Sequence, residues 1–448
     1  MECNDLTLQV SHEVKSRGEF VLQFLRAFDQ AGLDYVYLRN YEEIPESVGH
    51  DVDLLVSAGA RGKAVKLIQK TAAEFEWRYL GYVEFSPYAV FVASPNGDVV
   101  LHIDLFDRIE RHWCEFADVP LILGRRMHTG MVYRPHLLDE VYMNLCTRWI
   151  YISVVRDKHK EQLAQALAEE GESKVYDAFE AHLGKKYGSA VCDIAVGGHW
   201  EKTESMVRVL RVGSWIEYGV KRPMSVLRGI GRYWGRTLRR LVAPPAPFVV
   251  ILGADGVGKS SAIERIIPLL EDITGISDPL HFHWKPCRAS IRKNGDTATI
   301  AHDPRAKKAR GGMGSLAYLV YHWLGFWAGW VRWVYPQLVR NRSAIGDRYA
   351  FDMYMDPERF RLRLPGWLLR LAYRTVPQPD LVLGLTAEPS VVISRKAELT
   401  QEEIESYQSR MKEIGEERDN VCIVDASESL SVVSQKLRLA VLKWAEKR

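Results

Sequence analysis

Residues 247–272 read PFVVILGADGVGKSSAIERIIPLLED. A β-branched run (Phe248–Leu252) is followed by a glycine-rich turn, and the turn by apolar residues at helical spacing. Gly253 to Ser260 fits G-x-x-x-x-G-K-[ST], in the setting that gives the pattern meaning: a strand before it and a helix after it. Glycines at 253, 256 and 258 allow backbone conformations that side chains forbid, so successive N–H groups can converge on phosphate oxygens at a helix N-terminus. Gly253, Ala254, Asp255, Gly256, Val257, Gly258, Lys259, Ser260 and Ser261 form the expected cradle. Lys259 would act as a point charge on the terminal phosphates, and the Ser260 hydroxyl would ligate Mg²⁺. The cofactors expected from the loop are ATP and Mg²⁺.

Downstream, the order is strand, loop, helix, strand, helices, strand (SAIGDRY), helix, strand (DLVLGLT), helices, strand (VCIVDAS), helix. That alternation predicts a parallel sheet with helices on both faces. Upstream, VAPPAP breaks the chain before the loop strand, because proline fixes φ and cannot continue a helix.

Three further stretches carry a family likeness. GADGVGKSS resembles the phosphate loop of thymidylate kinases. HFHWKP stands where that family has an Arg-Glu-Pro signature, and GDRYAFD (346–352) resembles its Asp-Arg-Tyr motif. SRKAELTQEEIESYQSRMKEI resembles its lid, with basic residues at 395 and 396 ahead of a helix. The likeness covers roughly residues 247–448. It implies that Asp347 holds Mg²⁺ or polarises the acceptor, that Arg348 grips the acceptor's phosphate, and that Arg395 and Lys396 close over the transferring group. With Lys259, these are the expected catalytic residues. Phosphoryl transfer asks mainly for positioning and positive charge, which these residue types supply. His283-Trp284-Lys285-Pro286 departs from the family signature, so the likeness supports phosphoryl transfer better than it supports thymidine monophosphate as acceptor.

In the first half, GHDVDLLV sets Asp51 and Asp53 two apart on a strand, projecting from one face, and LHIDLF offers Asp104 on a second strand. The pattern resembles polymerase-beta-type nucleotidyltransferases of the minimal kind. That likeness implies that the three acids hold Mg²⁺ ions, which activate the attacking oxygen and steady the leaving pyrophosphate. The family's Gly-Ser turn is missing and YLRNYEE stands in its place, with Arg39 and Asn40 as substitute donors. A binding domain that keeps the acids without catalysis is the competing reading.

The expected fold is therefore α/β: a C-terminal P-loop kinase domain (247–448) with a parallel sheet flanked by helices, preceded by an α+β nucleotidyltransferase-like domain (1–135) with a helical extension (136–218). Residues 219–246 are the link. Residues 219–241 (GVKRPMSVLRGIGRYWGRTLRRL) hold seven Lys or Arg and no acid, interleaved with Leu, Ile, Tyr and Trp. They suit a solvated linker or an anionic membrane surface, and nucleic acid least; glycines at 229, 231 and 235 weaken any helix there. The stretch SLAYLVYHWLGFWAGWVRWVYPQL (315–338) has an uncharged part of about 16 residues, short of the ~20 a spanning helix needs, and reads as a buried or membrane-surface helix.

With 448 residues, 47% of them hydrophobic and 26% charged, the chain has the composition of a folded protein of several domains, and its net charge of +3 is too mild to call for nucleic acid. The six cysteines are scattered without metal-ligand spacing and read as reduced thiols. The N-terminus lacks a secretory pattern, so the expected location is cytoplasmic, including peripheral contact with the inner face of the membrane. The expected partner is a small-molecule phosphate acceptor, and a homodimer is an open assembly state. The reading that follows is an ATP-dependent phosphotransferase acting on a nucleotide, sugar or sugar phosphate, fused to a nucleotidyltransferase and serving polysaccharide precursor synthesis. Thymidylate kinase proper with an accessory front domain is the second reading, and a nucleic-acid end-processing enzyme the third.

Overall fold

The near-continuous apolar runs of the second half become strands buried on both faces, as parallel strands under crossover helices must be. A computed structural model of the chain describes residues 17–49, 51–111, 113–146, 155–198, 200, 203–287, 291–292, 310–396 and 398–447. It divides into two compact units, one built chiefly from Arg239–Arg448 and the other chiefly from Val14–Val92 and Leu101–Leu238.

In the C-terminal unit the sheet order is Ile291–Arg292, Leu280–His283, Ala344–Asp347, Phe248–Gly253, Leu381–Thr386, Val421–Asp425. Every pairing is parallel except the first, an antiparallel edge that the sequence had not signalled. Phe248–Gly253 lies inside the sheet with all its residues buried. Register then decides where chemistry can gather. Ile251 pairs with Asp347, and His283 with the same Asp347, so the loop after Gly253 opens beside two further strand ends. Ligands of open α/β sheets collect outside such carboxyl ends.

The aromatic stretch folds as helix Gly312–Gly329, a π-helical turn Trp330–Val334 and helix Tyr335–Val339. Ser315, Leu319, His322, Phe326 and Gly329 recur every three or four residues as its buried face. Among the described residues no helix is long and apolar enough to cross a membrane.

The front unit centres on a five-stranded sheet in the order Tyr35–Tyr37, Asp51–Val56, Val100–Phe106, Tyr88–Ala93, Arg78–Glu84. Asp51–Val56 runs parallel to Val100–Phe106. Helix Arg17–Gln30 buries Phe20, Phe24 and Phe28, one per turn, and Phe20 stacks on Trp77 at 4.6 Å. Four helices follow, Leu137–Leu145, Asp157–Glu170, Glu172–Leu183 and Lys185–Val196, joined in one core around Tyr142, Leu163, Val175, Phe179 and Val191. The basic segment is helical throughout Pro223–Val242 despite its glycines. Gly229 is needed there, since a Cβ would stand 2.4 Å from the Trp113 carbonyl oxygen.

The cysteines depart from expectation at one position. Cys114, Cys146 and Cys192 are buried free thiols, but Cys422 is disulfide-bonded.

Candidate functional site

The glycine loop is shaped by its own backbone. Gly256 has φ 92° and Gly258 φ 108°, both in the region where a Cβ is strained. At Gly256 an added Cβ would also meet the Lys396 Cβ at 3.0 Å and the Val392 carbonyl oxygen at 3.1 Å. Helix Lys259–Asp272 starts directly after Gly258, and its first backbone hydrogen bond runs from Ala262 N to Gly258 O. The N–H groups of Lys259, Ser260 and Ser261 therefore have no helical acceptor and face the loop. Ser260 is exposed at this first turn.

Lys259 is folded into the loop and almost fully buried. Its ammonium donates to the carbonyls of Gly253 and Ala254, both at 2.9 Å, and to the Asp255 carboxylate at 3.3 Å. Burial, and after it the neighbouring Arg348, pushes this ammonium down to about 8, against the pull of Asp255, Asp347 and Asp352.

Asp255 gathers positive charge. It pairs with Lys259, Arg348 and Arg359. Burial alone would raise its carboxyl, but the three cations hold it well below the usual carboxylate range. Arg348, with φ 74° and 2% exposure, spends one terminal nitrogen on Asp255 and the other on Asp352, 2.6 Å away. Asp352 is wholly buried and also accepts from the Tyr407 hydroxyl at 2.9 Å and the Tyr349 amide at 3.3 Å. The Tyr407 hydroxyl in turn accepts from the Gly253 amide at 3.2 Å. A closed relay thus runs from the loop backbone through Tyr407, Asp352 and Arg348 back to the loop carboxylate. Asp352, Arg359 and Tyr407 were not singled out from the sequence, although GDRYAFD contains the first and the lid stretch the last.

Asp347, 4% exposed, accepts from His283 Nδ1 at 3.0 Å. Burial pushes its carboxyl up, but the His283 hydrogen bond and the charges of Lys259 and Arg348 more than reverse this, lowering it to about 2. It is an ionised carboxylate beside the loop. His283 was also missed, and its signal was positional, the last residue of the strand paired with Asp347.

The two lid cations part company. Arg395 reaches the Val257 carbonyl at 3.5 Å and lines a cavity of about 280 Å³ with Val257, Gly258, Ser261, Arg265 and Leu437. Lys396 forms a half-exposed ion pair with Glu398 at 3.1 Å. After His283, the altered signature builds an aromatic cluster. Trp284 stacks on Phe360 at 4.9 Å, the Lys285 ammonium lies 4.8 Å from the Tyr321 ring centre and 3.4 Å from His322 Nδ1, and Arg310 covers Tyr318 at 3.8 Å. Burial, with Lys285 and Arg310 nearby, lowers His322 to about 4, keeping it neutral.

In the front unit, Asp53 and Asp104 pair across parallel strands, and Asp51 pairs with His102. All four therefore share one face of the sheet. His102 lies between two acids, with Nδ1 3.2 Å from Asp51 and Nε2 in a 3.0 Å ion-pair contact with Asp104. Burial would lower its pKa, but Asp104 and Asp51 outweigh burial and raise it. Asp53 is bonded to Arg39, yet burial still lifts its carboxyl above the ordinary value. A cavity of about 520 Å³ in this unit is lined by Asp107, Arg108, Glu115, Tyr187 and Trp215, among others, and by none of the three acids. Among the described residues no group of three or more His, Cys, Asp or Glu is placed to hold a metal ion. The C-terminal site fits Mg²⁺ nonetheless, because that ion usually takes one or two protein oxygens and completes its shell with phosphate oxygens and water. Ser260 and Asp347 are oxygen donors of that kind. In the front unit the three carboxylates instead engage His102 and Arg39.

No family model matches the chain. A curated thymidylate kinase of Photobacterium profundum is 28% identical over an alignment of 218 residues that covers 45% of this chain and 99% of that protein. A solved structure of thymidylate kinase from Ehrlichia chaffeensis aligns with 45% of this chain and 98% of its own, at 15% identity and a TM-score of 0.30, and at that score it adds nothing to the sequence match. Over a little under half its length, the chain is similar to thymidylate kinases.

Proposed function

We propose that the C-terminal unit is an ATP-dependent phosphotransferase, moving the terminal phosphoryl group of ATP to a small acceptor in the cytoplasm. The observation that carries the reading is the meeting of a buried lysine, a positive-φ glycine loop and an ionised aspartate at adjacent ends of a parallel sheet. The similarity to the Photobacterium thymidylate kinase agrees with it. Bound Mg-ATP would supply the phosphoryl group and its charge. The loop amides and Lys259 would hold the polyphosphate, with Ser260 and Asp347 as the oxygen ligands of Mg²⁺. The cavity beside Arg395 is just under the ~300–1,000 Å³ usual for ligand pockets and would take the base. Arg395 would neutralise charge from the lid side.

Two features point to an acceptor unlike thymidine monophosphate. Both terminal nitrogens of Arg348 are committed to carboxylates, and the Trp284-Lys285 cluster replaces the family signature. A sugar, sugar phosphate or other nucleotide is the class we favour. The front unit keeps Asp51, Asp53 and Asp104 on one sheet face, engaged with His102 and Arg39; nucleotidyl transfer there, which would convert the installed phosphate to a diphosphate linkage, competes with a binding domain that keeps the acids without catalysis. The test is purified protein with γ-labelled ATP against nucleoside monophosphates, sugars and sugar phosphates, beside Lys259→Ala and Asp347→Asn. Transfer that both variants abolish supports the kinase. Transfer to thymidine monophosphate alone favours thymidylate kinase proper. Absence of transfer, with no heat on adding Mg-ATP, removes the reading. For the front unit, α-labelled nucleotide incorporation must disappear in Asp51→Asn.

A further inference from the structure

The helix Pro223–Val242, which follows helix Thr203–Lys221, is turned inside out with respect to charge. A soluble amphipathic helix puts its arginines outward and its leucines inward. Here Arg232 donates to Glu110 at 2.9 Å and to Glu115 at 3.2 Å, and Arg236, 7% exposed, donates to Glu110 at 2.8 Å. Together with Gly229 against the Trp113 backbone, these contacts fix which side of the second helix faces inward. The outward side is apolar, with Leu227 61%, Trp234 57% and Leu238 56% exposed. Val212, Ile216 and Val220 form the same kind of stripe on the first helix. Helical hydrogen bonds carry across the junction, from Arg222 N to Tyr218 O and from Val226 N to Arg222 O. The exposed side chains at 212, 216, 220, 224 and 227 thus keep a spacing of three or four residues.

We propose that this ridge docks on an anionic membrane surface. The second helix carries charge of one sign on its exposed positions: Arg222, Arg228 and Arg239 are exposed and residues 219–241 contain no acid, while on the first helix Glu217 is paired with Lys221. An interfacial helix pairs buried apolar side chains with attraction to acidic lipid headgroups, and a tryptophan on the apolar side suits the headgroup boundary. A second copy of the chain would set two like-charged ridges against each other. Nucleic acid would meet leucines where it needs arginines, since Arg232 and Arg236 are already paired.

The experiment is flotation of the full chain with vesicles of phosphatidylcholine alone or mixed with phosphatidylglycerol. The chain should float with the mixed vesicles and less so as salt rises. Leu227→Glu with Trp234→Glu, both outward positions, should weaken flotation at least about tenfold while leaving the unfolding curve in place. If that pair fails to fold, Arg222→Glu with Arg228→Glu tests the charge half and should also weaken flotation. No flotation, equal flotation with both vesicle types, or double variants that float like the parent would each overturn the proposal. So would self-association that the apolar variant abolishes while no vesicle binds.

Discussion

Replacing Asp352 by asparagine keeps the shape of the side chain and removes one charge from the centre of the relay. The carboxylate is wholly buried and accepts three bonds, from Arg348 and Tyr407 on one oxygen and from the Tyr349 amide on the other. An asparagine has a single acceptor oxygen, so its amide nitrogen must face the Tyr349 N–H or one of the other donors. The larger cost lies with Arg348, which is 2% exposed and would keep only Asp255 as counter-charge. Breaking a buried pair costs about 3–5 kcal/mol, and with Asp255 still in place the lower end, about 3 kcal/mol, is expected. For a unit of some 200 residues that corresponds to a fall of roughly 6–12 °C in Tm. Unfolding of the full chain should be followed by tryptophan fluorescence and circular dichroism together, because two units need not unfold as one transition. Tyr407→Phe removes two hydrogen bonds, one donated to the Asp352 carboxylate and one accepted from the Gly253 amide, and should cost about 2 kcal/mol. The double variant should lose less than the sum, since the two groups share an oxygen. A loss below about 1 kcal/mol for Asp352→Asn, or strict additivity, would refute the relay.

Further consequences concern protons. Lys259 is depressed to about 8 from 10.5, so the folded chain holds fewer protons than the unfolded one between those values, and stability should rise as pH climbs through them. A polyphosphate beside the ammonium would restore its charge, so Mg-ATP binding near pH 9 should take up a proton, visible as binding heats that differ between buffers of different ionisation enthalpy; identical heats would contradict the placement. Asp347 is lowered to about 2 from 3.8, so it contributes about 2 kcal/mol that is present above pH 4 and lost as pH falls through 2, and Asp347→Asn should flatten this acid limb of the unfolding profile. His102 is raised above 6.5 by Asp104 and Asp51, so its contribution is complete below pH 6.5 and fades as pH rises through the raised value; a proton-detected titration of His102 with an ordinary midpoint would sink that account.

What the sequence revealed follows the range of the interactions involved. The sheet of the C-terminal unit was legible because FVVIL, AIGD, LVLGL and VCIV are apolar runs too short for helices and bounded by turn residues. Strand Arg78–Glu84 was not, since it lies at the sheet edge with only Leu80 buried and Gly81 interrupting the alternation. The helix Pro223–Val242 ran against propensity for a tertiary reason. Its glycines lower intrinsic helicity, but Gly229 permits the close approach to Trp113, and the pairs of Arg232 and buried Arg236 with Glu110 hold the helix there. Within the site, Gly253 to Ser260 was readable because a loop closes locally. Arg359 was invisible because it meets Asp255 across 104 residues, and Tyr407 because it meets Asp352 across 55. No local pattern encodes contacts of that reach.

The same distinction bears on Arg348. A motif names a residue but does not say which way its charge is spent. An arginine meant for an acceptor's phosphate must present at least one terminal nitrogen to the ligand, because two parallel donors are what make phosphate recognition bidentate. In this chain both nitrogens are turned to Asp255 and Asp352, and the buried guanidinium is held between the loop carboxylate and the relay. Arg359 shares Asp255 with Arg348 but keeps a side chain 23% exposed, and is the cation of that cluster with solvent access. Substitution of the family's signature by His283-Trp284-Lys285 then ceases to be an isolated oddity. On the reading proposed above, the aromatic faces backed by Lys285 and Arg310 are the groups that would orient an acceptor, through a ring more than through a bare phosphate.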